Sequence, residues 1–196
     1  AAGGYDVMSF SLEMARDERV AKSISRITFK LSQERGTRSG AAKTTRGITT
    51  GKRYANYTDD EIELIQAASW EYRTRISERI WIQEGIGDIG VSEIREAVEK
   101  HIRLTGHRPV IILDYLQIIA PYDVRATDKQ NTDKAVLELK RLSRDCKIPV
   151  IGISSFNREN YTAPVNMAAF KESGAIEYSS DVLIGLQLAG AGTKDF

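Results

Sequence analysis

The sequence predicts an α/β domain built on a largely parallel sheet with helices on both faces. Three observations carry that expectation. Val110-Ile111-Ile112-Leu113 is apolar at every position instead of alternating, the pattern of a central strand covered on both sides. Residues 5–10 and 150–153 hold two further short strand-like runs. Amphipathic helical stretches separate these runs, and strands alternating with helices favour parallel pairing.

The chain has 196 residues, 41% of them hydrophobic, enough for one domain with a sizeable core. Its formal charge of +1 does not single out a nucleic-acid partner. The single Cys146 excludes an internal disulfide and fits a reducing, cytoplasmic compartment. No apolar run is long enough for a membrane span. The start, Ala1-Ala2-Gly3-Gly4, has neither an initiator Met nor a signal core, and the final residues are loop-like. A fragment of a longer protein is expected.

Taken in order, residues 5–10 form the first strand, followed at once by Ser11-Leu12-Glu13-Met14. From Arg16, Val20, Ile24, Ile27 and Leu31 recur at helical spacing. Residues 32–58, rich in Gly, Thr, Ser, Lys and Arg, read as a long basic loop. Residues 16–53 carry 11 Lys and Arg against 3 Asp and Glu, whereas residues 58–100 carry 5 against 11. This asymmetry fits an anion-binding loop, or more simply a solvated loop beside an acidic helix. Gly47-Ile48-Thr49-Thr50-Gly51-Lys52-Arg53 has the wrong glycine spacing for a phosphate loop, and Arg53 stands where Ser or Thr is needed.

Thr58 caps a helix with acids in its first turn, and Ile62, Ile65, Ser69, Tyr72 and Ile76 mark one face of it. Residues 79–83 alternate as a short strand, and the helix after Ser92 turns Ile94, Val98 and Ile102 inward. A later helix buries Ala135, Val136, Leu139, Leu142 and Cys146, the last as a core filler. His101 and His107 have no Cys or His cluster around them and are not read as metal ligands. Residues 171–177 read as a turn and short helix, and residues 181–186 as a final strand.

The chemistry gathers at strand ends. Asp114 closes the central apolar run, at the carboxyl end where open α/β sheets place ligands. An unpaired carboxylate beside that apolar surface would cost several kcal/mol, so it needs a metal, a cation or backbone donors. In nucleotide-hydrolysing P-loop proteins an Asp at this place holds magnesium, while the simpler alternative is a cap for the next turn. Glu13 is a second carboxylate past a strand end, or else a first-turn helix acid facing the dipole. The third strand ends in Ser154-Ser155-Phe156-Asn157-Arg158.

Ser11-Leu12-Glu13-Met14, Leu113-Asp114-Tyr115-Leu116-Gln117, residues 154–158, then Glu172-Ser173-Gly174-Ala175-Ile176-Glu177 and Asp181, in this order, resemble the RecA-like motor domain of DnaB-type replicative helicases. The resemblance spans residues 4 to 186, and residues 48–60 resemble the family's ordered segment before the acidic helix. It implies a P-loop NTPase core whose first strand and phosphate-loop helix precede this chain, and whose arginine finger follows it. It implies ATP and Mg2+ as cofactors, with Glu13 activating the attacking water and Asp114 organising magnesium. Ser155 stands where the family has a γ-phosphate-sensing Gln, and is shorter. Lys171, Glu172 and Gly174 match a turn touching single-stranded DNA, with Lys171 keeping the charge of the family's Arg without its planar fork. The implied partners are single-stranded DNA, a homo-hexameric ring, and a primase or helicase loader. Two alternatives are a RecA- or KaiC-like ATPase in recombination or regulation, and a non-catalytic helicase-derived interaction module.

Overall fold

The computed structural model describes residue 1 and residues 3–36, 41–85, 88–155 and 174–186. The apolar runs pair as one parallel sheet of four strands: β1 (Val7–Ser11), β2 (Ile80–Glu84), β3 (Val110–Asp114) and β4 (Val150–Gly152). Their order is β2-β1-β3-β4, and every neighbouring pair is parallel. The expected parallel relation of the first, central and third strands is therefore met. Crossovers between parallel neighbours require intervening helices, and the sequence supplies them: α1 (Arg16–Glu34), α2 (Thr45–Thr49), α3 (Asp59–Arg75), α4 (Val91–Thr105) and α5 (Asp128–Cys146). A short α6 (Gly174–Ser179) follows β4.

Successive residues of a strand point to opposite faces. Met8, Phe10, Ile111 and Leu113 point one way and join Ile94 and Val98 of α4 and Leu139 and Leu142 of α5 in the main core. Phe10, Ile94, Val98, Ile111, Leu113 and Leu142 are fully buried, each contributing roughly 1.5–3 kcal/mol of transfer free energy. Cys146 packs against this core, and burial pushes its thiol pKa up, as fits a filler. The other face is covered from α1, which buries Ile27 against Ala68 and Tyr72 of α3 with Val20, Ile24 and Leu31 alongside. Helices thus lie on both faces. On this second face Ile151 of β4 is the register partner of Ile112 yet remains 52% exposed.

Helix ends match their capping chemistry. Thr58 caps α3, with Glu61 reaching back to the Thr58 amide, and Thr127 and Gln130 repeat the arrangement on α5. At α4, Glu93 accepts from the Gly90 amide at 2.9 Å. Gly106 ends α4 with φ of 73°, a left-handed conformation that glycine adopts without strain.

Two expectations need correction. Residues 181–186 are not a strand, and Val182, Ile184 and Leu186 are exposed. Their apolar run finds no ladder partner among the described residues, and Asp181 is drawn to Lys140 of α5 at 2.6 Å. The stretch 32–58 is not a continuous loop. It contains the end of α1, then α2 and a 3-10 turn over Gly51–Asn56. The tyrosines hold this segment: Tyr54 and Tyr57 hydroxyls donate to the Ile48 and Gly47 carbonyls. Lys43 lies over the Tyr57 ring and pairs with Glu61.

Candidate functional site

Because β1, β3 and β4 are parallel neighbours, their carboxyl ends form one edge. Ser11 and Asp114 close their strands side by side, and the Leu12 amide donates to the Asp114 carbonyl at 3.0 Å. Across β3, the Ile153 amide donates to Leu113 and the Leu116 amide to Ile153. Gln117 donates through Nε2 to the Ser154 hydroxyl at 2.8 Å, tying the segments after β3 and β4 together. Leu116 also packs close to Gly152, where any Cβ would meet its side chain at 3.1 Å. Ser154, just after β4, is thereby held beside the segment that follows β3.

Asp114 obtains the cation that its surroundings demand. Arg19, from the first turns of α1, donates through Nη2 to Asp114 Oδ2 at 2.7 Å. Arg19 Nε donates to the Ser11 hydroxyl at 3.0 Å, and that hydroxyl donates onward to the Met14 carbonyl at 2.6 Å. Both charged side chains keep about a fifth of their surface open to solvent, 21% for Arg19 and 23% for Asp114. The orientation of α1 is set from β2: its N-cap, Ala15, has no side-chain cap, and Glu84 at the end of β2 accepts from the Arg16 amide at 2.5 Å. Placed at a helix N-terminus, that carboxylate also faces the favourable end of the dipole.

The other expected site residues distribute as follows. Glu13 lies two residues past β1 on the same edge, exposed. The helix begins only at Arg16, so Asp17 and Glu18 are its first-turn acids and Glu13 is not. Ser155 is exposed, next to the Ser154 that Gln117 binds. Gly174 opens α6, whose Ala175 amide donates to Asp133 of α5 at 3.4 Å. Lys171 and Glu172 lie outside the described residues. Arg19, Glu84 and the Gln117–Ser154 bond escaped the sequence reading. Arg19 was one of several basic residues in its region, and only the rotation of α1 over the sheet singles it out.

The donor set at this edge suits a hard divalent cation. Magnesium is held by one or two carboxylates together with waters and substrate phosphates, and Asp114 is a solvent-accessible carboxylate of that kind. Among the described residues no cluster of three or more His, Cys, Asp or Glu side chains is arranged to hold a metal ion by itself.

A second polar cluster sits at the opposite end of the sheet. The buried Asp6 accepts from His101 Nε2 at 3.0 Å and His107 Nδ1 at 3.1 Å, and from Arg79 at 3.1 Å. Burial pushes the Asp6 carboxyl upward, but the hydrogen bonds from His107 and His101 outweigh it and hold the pKa below its ordinary value. Both histidines therefore have a structural role as Asp6 partners.

A four-stranded parallel sheet with Asp114 closing one strand and Glu13 just past its neighbour is an α/β fold of the class that binds ligands at the carboxyl ends of its strands. The family described as the DnaB-like helicase C-terminal domain matches residues 1–189, and the chain belongs to that family. It is similar to the replicative DNA helicase DnaB of Mycobacterium leprae (strain TN), at 26% identity over 190 residues, covering 95% of this chain and 28% of that protein. It is also similar to the replicative DNA helicase DnaC of Bacillus subtilis (strain 168), at 32% identity over 109 residues, 53% of this chain and 23% of that protein. Among solved structures, the ATPase domain of G40P aligns with a TM-score of 0.73 at 20% identity, covering 90% of this chain and 57% of that one. A DnaB-like replicative helicase, solved in a study of its interactions with primase, aligns with a TM-score of 0.72 at 20% identity over 90% of this chain and 40% of that one. These two likenesses bear on the fold. The chain spans between 20% and 28% of the length of the curated relatives it matches.

Proposed function

We propose that this chain is part of the motor of a DnaB-type replicative helicase, which couples ATP hydrolysis to movement along single-stranded DNA. The observation that carries the proposal is the register of Ser11 with Asp114. It sets Glu13 and Asp114 at the exits of adjacent parallel strands, on the edge where α/β sheets bind ligands. In this reading Asp114 holds the magnesium ion and Glu13 positions and polarises the attacking water. The magnesium ion, when bound, neutralises charge developing on the transferred phosphoryl group. Ser155, on the same edge, contacts the nucleotide with a shorter reach than a Gln would have. In the same reading Lys171, Glu172 and Gly174 contact the backbone of single-stranded DNA. A hexameric ring engaging a primase or loader is part of the same proposal; the DnaB-like structure solved in a study of primase interactions supports considering a primase.

The direct phosphate contacts come, in this proposal, from a strand and helix that pair with the outer edge of β4. The support is physical: β4 ends the strand order among the described residues, and its Ile151 is 52% exposed, unusual for a β-branched residue in a parallel sheet; Ile153, one residue past its end, is 44% exposed.

The test compares two substitutions in the full-length protein. Glu13→Gln keeps size and hydrogen bonding while removing charge, and ATP hydrolysis should fall by about 10²–10⁴-fold, the share of a general base, with ATP binding retained. Asp114→Asn should instead weaken magnesium-dependent nucleotide binding. Loss of binding and hydrolysis together in both variants would mark a destabilised domain and sink the assignment.

A further inference from the structure

Asp114 is already engaged by a cation of this chain, and the engagement is built from three elements. Arg19 on α1 reaches across to β3, its Nε is fixed by Ser11 at the end of β1, and α1 itself is anchored at its N-terminus by Glu84 of β2. An Arg fork held at two points loses little further freedom when it pairs. A divalent ion bound to the same carboxylate would sit close to the guanidinium, and like charges at that range repel.

We infer that Arg19 is an internal counter-cation that competes with the divalent ion for Asp114, so that Arg19 sets the metal concentration at which the nucleotide site fills. The inference rests on the proposed role of Asp114. Before the cation arrives, Arg19 keeps the carboxylate neutralised and aimed along the sheet edge. When the cation binds, the 2.7 Å Arg19–Asp114 contact must lengthen or break. The guanidinium and carboxylate are both partly solvent-exposed, so the exchange requires no opening of the core. Arg19 is a positioning and regulatory residue in this account, separate from Glu13.

The experiment is a titration of full-length protein with Mn2+ in the presence of ADP, following free Mn2+ by electron paramagnetic resonance. It reads binding, not turnover. Arg19→Gln should lower the half-saturating Mn2+ concentration by roughly 1.4- to fivefold, the range for one partly exposed ion pair. Arg19→Lys, which keeps the charge but not the fork, should fall between Arg19→Gln and the parent. An unchanged or raised half-saturation in Arg19→Gln overturns the inference, since a merely structural Arg would leave Asp114 worse placed for metal. If Arg19→Gln does not fold, Ser11→Ala removes the bond that aims the guanidinium, together with the hydroxyl's bond to the Met14 carbonyl. It should shift the half-saturation downward, and no shift overturns the inference. Asp114→Asn separates the two levels: if it leaves Mn2+ binding unaltered, the Asp114 role itself is wrong. If it weakens Mn2+ binding while Arg19→Gln changes nothing, only the Arg19 competition fails.

Discussion

Asp6, just before β1, and Asp114, closing β3, are two carboxylates at opposite ends of one sheet, and their surroundings set different fates. Asp114 is accessible and faces one exchangeable partner, Arg19. Asp6 is buried at 4% exposure with three partners. The depressed Asp6 carboxyl stabilises the fold at pH values above the unfolded pKa of about 3.9. That stabilisation is lost as pH falls through the native value. Asp6→Asn should therefore lower stability at pH 7 by about 1.5–3 kcal/mol, as for hydrogen bonds to a charged group. Urea unfolding should show the gap closing below about pH 4; a pH-independent gap would contradict the account. That Asp114 needs a metal, a cation or backbone donors was legible in the sequence, because a carboxylate closing an unbroken apolar strand cannot stand alone. The identity of that cation was not. Arg19 reaches it through the placement of α1, which is held by contacts remote in sequence: Glu84 at the Arg16 amide, 68 residues away, and Ala68 and Tyr72 of α3 against Ile27. His101 and His107 likewise gave no sequence sign of their shared partner, since Asp6 is remote from both.

At the scale of elements, unbroken apolar runs that pair with a neighbouring strand were readable, and a run with no ladder partner among the described residues was not. Residues 110–113 and 150–153 announced β3 and β4 because neither alternates. Residues 181–186 were equally apolar in pattern, but pattern fixes a strand only where a neighbour completes the ladder. The tyrosine-held segment around α2 looked like a loop because its order comes from hydroxyl-to-backbone bonds, not from apolar periodicity. The α3 cap was legible, since Thr58 followed by Asp59-Asp60-Glu61 is a local signal. Thr58→Ala should cost about 0.5–2 kcal/mol, measurable by thermal unfolding. The same change at Thr127 should cost a similar amount, because α5 repeats the box. Leu142→Ala, removing a fully buried α5 side chain from the main core, should cost about 2–5 kcal/mol.

For the whole molecule, the exposed Ile151 of β4 and the family membership point the same way, toward a sheet completed in the full-length protein. Ile151→Lys should there cost well above the roughly 0.5 kcal/mol of an ordinary surface change, read by chemical unfolding; a neutral result would place that edge in solvent. Lys171→Ala should leave basal hydrolysis nearly unchanged. It should weaken single-stranded DNA binding and flatten its salt dependence by about one phosphate contact. The central claim, a DNA-translocating ATP motor acting through Glu13, is tested most directly by DNA-stimulated ATP hydrolysis in full-length protein, comparing the parent with Glu13→Gln. The account predicts that the variant binds ATP and single-stranded DNA like the parent while hydrolysis falls by about 10²–10⁴-fold. Hydrolysis by Glu13→Gln at the parental rate would contradict it.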